Sequence, residues 1–362
     1  MSDAPTHPAK SKSEAQKRTE ISSLGEFGLI DRLAEGNPTR QASTVRSIGD
    51  DAAVFRYGEA AGPLTVVSTD LLVEGIHFDL MYHPLKHLGF KAVSVNVSDI
   101  YAMNAVPRQI TFSMALSSKV SVEAVDALMR GVRAACDHYD VDLVGGDTTS
   151  SPKGVVLSVT AIGEGEEGKL SFRDGAKVGD LVCITGHLGA AYLGLQLLER
   201  EKQLFLDNPE IQPSLDEAAT LVGAQLKPEA RRDIIEAFAK TDLVPTSMID
   251  VSDGLASELY HICRSSGVGA LVEESGVPIH PDAQLKALDF KLDPITCALS
   301  GGEDYELVFT IDPADTEKVR YLPDIYIAGE IVPAEDGLKL HTKGGNLHEI
   351  PAQGWRHFSP NT

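Results

Sequence analysis

The sequence is poor in several features that define common protein classes. Its 362 residues include four cysteines, far apart and without a C-x-x-C pair, so neither a zinc site nor a disulfide framework is predicted. Lysine and arginine number 32 against 53 acidic residues, a formal net charge of −21. That balance disfavours nucleic acid or an anionic membrane as a partner, because both require a basic surface. No apolar run reaches the roughly 18 residues of a membrane-spanning helix, and the polar first 20 residues do not resemble a signal peptide. We therefore expect a cytoplasmic protein with reduced thiols.

The chain is too long for one ordinary core, and its composition is that of a globular protein. Apolar runs of strand length lie at 64–69, 110–116, 155–162, 181–186, 305–311 and 325–331. Helical patterns lie at 86–104, 122–138, 189–200 and 253–265. Glycine, proline and charge accumulate across 163–180, which favours a domain boundary there. We predict an α/β protein with mixed sheets: a disordered tail (1–22), an N-terminal domain (23–168) and a C-terminal domain (169–362).

Acidic residues recur at the ends of these predicted strands and in glycine turns. They are Asp50, Asp51, Asp70, Asp147, Asp250, Asp253, Glu303 and Asp304. Carboxylates at strand ends, beside glycines that let the backbone approach a ligand, are typical of sites in open α/β sheets. Any one of them is equally well explained as a helix cap or a solvated turn. The whole set favours a shared site.

The predicted helix 86–104 has an acidic residue on a largely apolar surface. Its apolar stripe is formed by Phe90, Val93, Val97 and Ile100. Asn96 and Asp99 share a different face, since residues three apart are neighbours on a helix. A buried carboxylate is costly unless it is paired or bound to a metal. Asp99 is therefore a candidate ligand, and the alternative is that this face is exposed.

Carboxylates that converge on one site repel each other unless cations lie among them. Hard oxygen ligands without histidine or cysteine partners indicate Mg²⁺ or Mn²⁺. Mg²⁺ usually binds a few carboxylates together with substrate phosphates, so a nucleotide is the natural companion. The segment GEGEEGK (163–169) has the spacing of a P-loop, but Leu170 replaces the magnesium-binding hydroxyl and the glutamates would repel phosphate. We predict an acidic surface turn there.

Seven segments, in order, resemble the thiamine-monophosphate kinase family. They are GEFGLI, SIGDDAAV, VSTDLLVEGIHF, NVSDIYAMNA, LVGGDTTSS, IDVSDGLASEL and SGGEDYELVFT. Each is weak alone, but seven in the right order are specific. The family belongs to an ATP-binding superfamily that includes aminoimidazole-ribotide synthetase, selenophosphate synthetase and a hydrogenase-maturation protein. The long polar N-terminus and the stretch 201–217 depart from the family pattern.

The resemblance implies a two-domain fold like that of aminoimidazole-ribotide synthetase, a homodimer formed through the N-terminal sheet, and ATP with several Mg²⁺ ions. The family's metal-binding positions match Asp51, Ser68, Thr69, Asp70, Asp99, Asp147, Asp250 and Asp253. Its nucleotide contacts match Gly146, Asp147, Arg173 and Ser252. Its thiamine-phosphate contacts match His77, Glu303 and Trp355. We expect catalysis to depend on Asp51, Asp70, Asp147 and Asp250, whereas Asp50 and Asp304 are given no ligand.

Three matched residues have simpler explanations. His77 could be structural, Trp355 could fill a core edge, and Arg173 could pair with the acidic turn before it. The implied reaction is in-line transfer of the γ-phosphoryl of ATP to thiamine monophosphate. It needs no general base, because the acceptor phosphate has a second pKa of about 6, and it depends on positioning and charge neutralisation. The alternatives are a synthetase or ligase of the same superfamily, a metal-dependent phosphohydrolase, or a non-catalytic nucleotide binder.

Overall fold

The computed structural model describes residues 21–58, 62–210, 212, 215 and 218–351. Of the described residues, 21–38 belong to one compact unit and 39–351 belong to another. The first unit contains a short 3-10 helix, Ile21–Ser23, and helix α1, Gly25–Ala34. The predicted tail lies outside the described residues as far as residue 20. No helix in the described part of the chain has both the length and the apolarity needed to cross a membrane.

The first sheet of the second unit is mixed. Its strands are β1 Thr44–Arg46, β2 Ala53–Phe55, β3 Leu64–Val73, β4 Val106–Leu116, β5 Asp142–Gly145, β6 Thr148–Ser150 and β7 Val156–Gly165. They are ordered β1-β2-β3-β7-β4-β5, and β6 also pairs with β4. The pairs that β4 makes with β5 and β6 are parallel and the others are antiparallel. Burial alternates along β3 and β7, as expected when one face of a sheet packs on a core.

The second sheet is also mixed. Its strands are β8 Leu181–Thr185, β9 Ser247–Asp250, β10 Gly269–Glu273, β11 Leu307–Ile311, β12 Ile325–Val332, β13 Leu338–His341 and β14 Leu347–Glu349. Their order is β14-β13-β10-β12-β8-β11-β9. The pair of β10 with β13 is parallel. Strand β11, next to the edge strand β9, is buried at every residue, so both faces of the sheet are covered at this strand, which explains its continuous apolar sequence.

Ten α-helices lie in the described residues. After α1 they are α2 Leu85–Ala102, α3 Val122–Tyr139, α4 Ala190–Asp207, α5 Ala219–Leu226, α6 Arg232–Thr241, α7 Leu255–Ser266, α8 Pro281–Asp289, α9 Pro294–Ser300 and α10 Thr316–Val319. The strands and helices predicted from periodicity are all present. The mixed α/β class is therefore confirmed.

Helix α2 positions much of the site because it is buried on all sides. It packs against α3, against β3, β4 and β7 of the first sheet and against β9 of the second. A Cβ on Gly89 would lie 2.1 Å from the Leu128 carbonyl oxygen, so only glycine permits this close approach of α2 and α3. The helix is buried continuously from Leu88 to Ser98. Its polar side chains consequently point into the protein interior.

The largest core cluster includes residues of both sheets, for example Val159 of β7 and Phe309 of β11. The predicted boundary at 168/169 falls between β7 and β8 and stays a prediction. All four cysteines are free and buried, as predicted. Glycine also permits close packing at α4, since a Cβ on Gly194 would lie 2.1 Å from the Leu221 carbonyl oxygen.

Candidate active site

Three carboxylates from distant parts of the chain converge at the centre of the second unit. Asp51 lies in the turn before β2, Asp99 lies near the end of α2, and Asp250 ends β9. One oxygen from each lies within 4.8 Å of the others. We call Asp51, Asp99 and Asp250 the carboxylate cluster. Oxygens this close can share a divalent cation, and no histidine or cysteine in the described chain joins the group.

Hydroxyl groups orient two members of the cluster. Ser98 Oγ donates to Asp250 Oδ2 at 2.6 Å, and Ser68 Oγ donates a short hydrogen bond to Asp99 Oδ2. Ser68 matches a family metal position, whereas Ser98 was missed by the sequence analysis although it lies in the motif NVSD. Its role became visible only once α2 and β9 were seen to pack together.

Asp70, two residues after Ser68 on β3, faces the same side of the sheet. Its backbone N–H donates to Asn96 Oδ1 at 3.0 Å, which ties β3 to α2. Burial, and secondarily the charge of Asp51, raises the pKa of Asp70 to about 6. The sequence analysis had placed Asn96 beside Asp99 without this role.

Burial and repulsion by neighbouring carboxylates raise the pKa values of Asp250 and Asp99. Burial and then the charge of Asp51 raise the pKa of Asp250 to about 8. The pKa of Asp99 is raised well above its usual value by burial, then by Asp70, Asp250 and Asp51. The second oxygen of Asp51, Oδ2, is buried and has no hydrogen-bond partner among the described residues. This orphaned oxygen and the excess negative charge fit a bound cation.

Arg173 is the one matched cation at the cluster. Its Nη2 donates to Asp51 Oδ1 at 2.5 Å, and its backbone N–H donates to Asp50 Oδ1. Burial opposes its charge, but Asp51 keeps the pKa of Arg173 above its usual value. The alternative that Arg173 pairs with the acidic turn is wrong. The glutamates of that turn pair instead with Arg56, Arg108 and Lys169.

Asp50 and Asp304 have structural roles. Asp50 accepts from Arg46 Nε at 3.0 Å and anchors the Arg173 backbone, and burial with the charge of Asp51 raises its pKa to about 6. Asp304 accepts from the backbone N–H groups of Gly189 and Ala191 at 2.7 and 3.1 Å. It therefore accepts hydrogen bonds from the first N–H groups of α4. This is the helix-cap explanation that the sequence analysis gave as the alternative to a ligand.

Besides Arg173, the predicted nucleotide residues come from both sheets: Gly146 and Asp147 lie between β5 and β6, and Ser252 follows β9. Asp147 is exposed, its carboxylate has no hydrogen bond or ion pair with a described residue, and its backbone N–H donates to Ser113 Oγ at 3.1 Å. Gly146 presses against β4, since a Cβ would lie 1.8 Å from the Phe112 carbonyl oxygen. Ser252 follows β9, and its carbonyl oxygen accepts from the Glu303 N–H at 2.7 Å. The structure does not join Asp147 to the cluster by direct contact.

Two further residues that were predicted to bind metal, Asp253 and Thr69, are not members of the carboxylate cluster. Asp253 precedes α7, and its backbone N–H donates to Glu258 Oε1 at 2.9 Å. Thr69 lies between Ser68 and Asp70, so its side chain points to the opposite face of the sheet, where its hydroxyl donates to the Val159 carbonyl oxygen at 2.9 Å. Only the backbone of Thr69 can face the cluster, because successive strand residues alternate.

Of the three residues predicted to contact the acceptor, the structure describes two, His77 and Glu303. His77, in the turn after β3, is half-buried, and its Nδ1 accepts from the Val73 N–H at 3.0 Å, so its proton resides on Nε2. Glu303 forms an ion pair with Lys91 Nζ at 2.8 Å and accepts from Gln225 Nε2 at 2.6 Å. The sequence analysis missed Lys91 and Gln225. Trp355 lies outside the described residues.

The fold and the cluster define a class of protein. The family described as AIR synthase related protein, N-terminal domain, matches residues 49–164. A solved structure of the hydrogenase maturation protein HypE shares the fold with a TM-score of 0.66 at 20% identity, covering 84% of this chain and 93% of its own. The fold is thus the AIR-synthase-like fold, as predicted.

Relatives of high coverage narrow the class. The thiamine-monophosphate kinase of Aquifex aeolicus is 33% identical over 93% of this chain and 99% of its own length, and that of Bacillus subtilis is 35% identical over 82% and 86%. The solved structure of AaThiL complexed with AMPPCP and TMP has a TM-score of 0.79 at 31% identity, covering 95% of this chain and 100% of its own. The chain belongs to the thiamine-monophosphate kinase family. The family and enzyme class predicted from the seven motifs are confirmed.

Proposed function

We propose that this chain transfers the γ-phosphoryl group of ATP to thiamine monophosphate and forms thiamine diphosphate. The observation that supports this most strongly is the convergence of Asp51, Asp99 and Asp250 within 4.8 Å, in a member of this family. A solved relative was complexed with AMPPCP, an ATP analogue, and with TMP. Those two ligands are of the same kinds as the donor and acceptor of the proposed reaction.

Mg²⁺ ions are part of the proposal. Asp51, Asp99 and Asp250 would hold them, with Asp70 beside the cluster and the backbone of Thr69 as a further oxygen source. When bound, Mg²⁺ would neutralise phosphate charge and orient the transferring group. The carboxylates of Asp253 and Asp147 do not belong to the cluster itself. They would bind Mg²⁺ ions that also contact the nucleotide phosphates.

The chain's own residues would position the donor. Arg173, fixed through Asp51 and Asp50, presents a guanidinium beside the cluster and would stabilise phosphate charge. Gly146 would let the backbone approach the nucleotide, and Ser252 would bind the nucleotide from the side of β9. None of these groups is suited to remove a proton, which agrees with an acceptor phosphate that is already ionised. We therefore propose direct transfer without a phosphorylated enzyme.

The acceptor would lie between His77 and Glu303, with Trp355 as an aromatic partner. His77 Nε2–H is a donor suited to a phosphate oxygen, and Glu303 is an anion suited to a cationic or amino-bearing heterocycle. The alternative roles for His77 and Trp355, packing or simple exposure, predict no effect on acceptor affinity.

The decisive assay is formation of thiamine diphosphate from thiamine monophosphate, ATP and Mg²⁺. A thiamine diphosphate yield that requires all three components supports the proposal. Hydrolysis of ATP without the acceptor would favour a phosphohydrolase, and binding of ATP without turnover would favour a nucleotide binder. Accumulation of a phosphorylated protein from labelled ATP would contradict direct transfer.

We also propose a homodimer in the cytoplasm. The face of the first sheet that bears Thr69 is half-exposed along β3 and β7, and Leu71 on it is 55% exposed. A second copy could cover this face, and free cysteines suit a reducing compartment. Ile162→Glu on β7 should shift the protein to monomers in sedimentation, whereas Leu285→Glu at an exposed position of α8 should not.

A further inference from the structure

Lys91 is a lysine buried where an exposed one would be expected. It lies in the middle of α2, its side chain is 0% exposed, and its Nζ lies 2.8 Å from Glu303 Oε1. The same Nζ donates to the Gln225 carbonyl oxygen at 3.3 Å. Burying an ammonium group costs several kcal/mol unless it is paired. A buried lysine paired with a predicted substrate residue therefore calls for a functional explanation.

Glu303 is fixed on several sides. Lys91 holds Oε1, and Gln225 Nε2 donates to Oε2 at 2.6 Å. The Glu303 backbone N–H donates to the Ser252 carbonyl oxygen, and its φ of +66° lies in the left-handed region, a conformation that persists only where the surroundings enforce it. Its side chain nevertheless remains 24% exposed. The result is an immobilised carboxylate with an open side.

Gln225 offers a second acceptor next to Glu303. The residue is 3% exposed, and its Oε1 is buried without a hydrogen-bond partner in the described chain. The amide cannot be flipped, because its oxygen would then face the Glu303 carboxylate. An orphaned buried acceptor is costly. Beside a substrate carboxylate, it indicates a ligand that supplies an N–H group.

We propose that Lys91 and Gln225 are positioning and specificity-determining residues of the acceptor subsite. Lys91 holds the Glu303 carboxylate in place, and Gln225 Oε1 together with Glu303 forms a paired acceptor for the amino group of an aminopyrimidine. Thiamine monophosphate has such a group, so the inference rests on the proposed function. It adds two residues that none of the seven motifs assigns to the substrate.

A purely structural role makes a different prediction. If Lys91 and Gln225 only join α2, α5 and the Glu303 turn, their removal lowers stability and leaves the KM of the acceptor unchanged. If Lys91 acts through Glu303, its effect on the acceptor KM disappears once Glu303 is itself replaced, whereas Gln225, which would contact the ligand directly, keeps part of its effect. A double-mutant cycle therefore separates the two roles.

The experiment compares Lys91→Met, Gln225→Met and Glu303→Gln, alone and combined. We expect each of the first two to raise the KM for thiamine monophosphate by about 10-fold or more and to leave the KM for ATP within about 2-fold. In the Glu303→Gln background, Lys91→Met should change the acceptor KM by less than about 3-fold. If Lys91→Met does not fold, the charge-balanced Lys91→Met/Glu303→Gln protein should fold, and its comparison with Glu303→Gln still closes that side of the cycle.

The control is Arg231→Met, which removes a buried ion pair with Glu306 (side chains 10% and 16% exposed). It should lower the melting temperature while both KM values stay unchanged. An unchanged acceptor KM in folded Lys91→Met and Gln225→Met, or a fully additive effect of Lys91→Met with Glu303→Gln, would overturn the inference alone. A wild-type protein that forms no thiamine diphosphate would instead overturn the proposed function.

Discussion

Two carboxylate sites in this protein, the buried carboxylate cluster and the partly exposed Glu303, are neutralised in opposite ways. At the carboxylate cluster, three aspartates and the neighbouring Asp70 have one arginine among them, and an oxygen of Asp51 has no partner in the described chain. At Glu303, a single carboxylate has a buried lysine and an amide on its two oxygens. The first group is incomplete without an external cation, and the second is complete within the protein. Charge balance thus separates a site built for metal from a site built for an organic ligand.

One helix sets the distance between these two groups. Asp99 and Lys91 both belong to α2, and eight residues correspond to about 12 Å of helix axis. Because α2 is buried on all sides, it cannot shift without disturbing both sheets. The separation between the metal end and the acceptor end of the site is therefore built into the core.

The largest effect should come from removing the phosphate of the acceptor. A site whose cations are arranged for a substrate phosphate leaves them unpaired when thiamine replaces thiamine monophosphate, which typically costs about 10⁴-fold or more. We expect kcat/KM for thiamine to be lower by this order, measured as phosphorylated product. Similar values for the two acceptors would show that the cluster does not serve the acceptor phosphate.

Replacing a cluster residue should have the next largest effect. Asp250→Asn keeps an oxygen for the Ser98 hydrogen bond but removes a metal-binding charge, and should lower turnover by about 100-fold or more. The same loss is expected for Asp51→Asn, Asp70→Asn and Asp99→Asn. The metal-free Asp70, Asp99 and Asp250 variants should melt at or above the wild-type temperature, because repulsion is relieved, whereas Asp51→Asn also loses the ion pair with the buried Arg173. A sharply lower melting temperature would instead identify these aspartates as structural caps.

The only tryptophan of the chain tests the acceptor site at Glu303. If Trp355 stacks on the acceptor, Trp355→Ala should raise the acceptor KM by about 10-fold, as expected for roughly 1–2 kcal/mol of lost stacking. Titration with thiamine monophosphate should change the fluorescence of wild-type protein saturably, and ATP alone should change it much less. An unaltered acceptor KM in the folded variant would assign Trp355 to packing.

The pH dependence of stability should be the smallest effect. The folded-state pKa values of Asp50 and Asp70 are raised to about 6, and that of Asp250 to about 8. Between the usual carboxyl pKa and these values the folded state binds more protons than the unfolded state. The free energy of unfolding of the metal-free protein should therefore fall as the pH rises from about 4 to about 8. Thermal denaturation in chelator measures this slope, which should flatten in Asp250→Asn.

Much of the site could be predicted because its carboxylates lie in recognisable local sequence patterns. Asp51, Asp70 and Asp250 stand next to strand ends or glycine turns, and Asp99 interrupts an apolar helix, so each could be found without the fold. Lys91 could not, because a lysine in a helix normally indicates an exposed position. Its partner Glu303 lies on a turn more than 200 residues later. Only the packing of α2 against α5 and that turn reveals the pair.

The direction in which side chains point was the second feature that could not be predicted from the sequence. The motif VSTD suggested that Ser68, Thr69 and Asp70 act together, but the alternation of β3 sends the Thr69 hydroxyl to the opposite face. Asp304 stands next to Glu303 in the same motif, yet its two hydrogen bonds go to the start of α4. Such assignments require knowledge of which elements are neighbours, and short motifs do not contain it.

The central claim is that the carboxylate cluster requires a cation and the Glu303 group does not. A titration of Mg²⁺ into metal-free protein at about pH 8, followed by thermal denaturation, tests it directly, because a bound ion stabilises the folded state. Wild-type protein and Lys91→Met/Glu303→Gln should gain several degrees in melting temperature, and Asp250→Asn should lose most of that gain. Equal gains in all three proteins, or no gain in the wild type, would contradict the account.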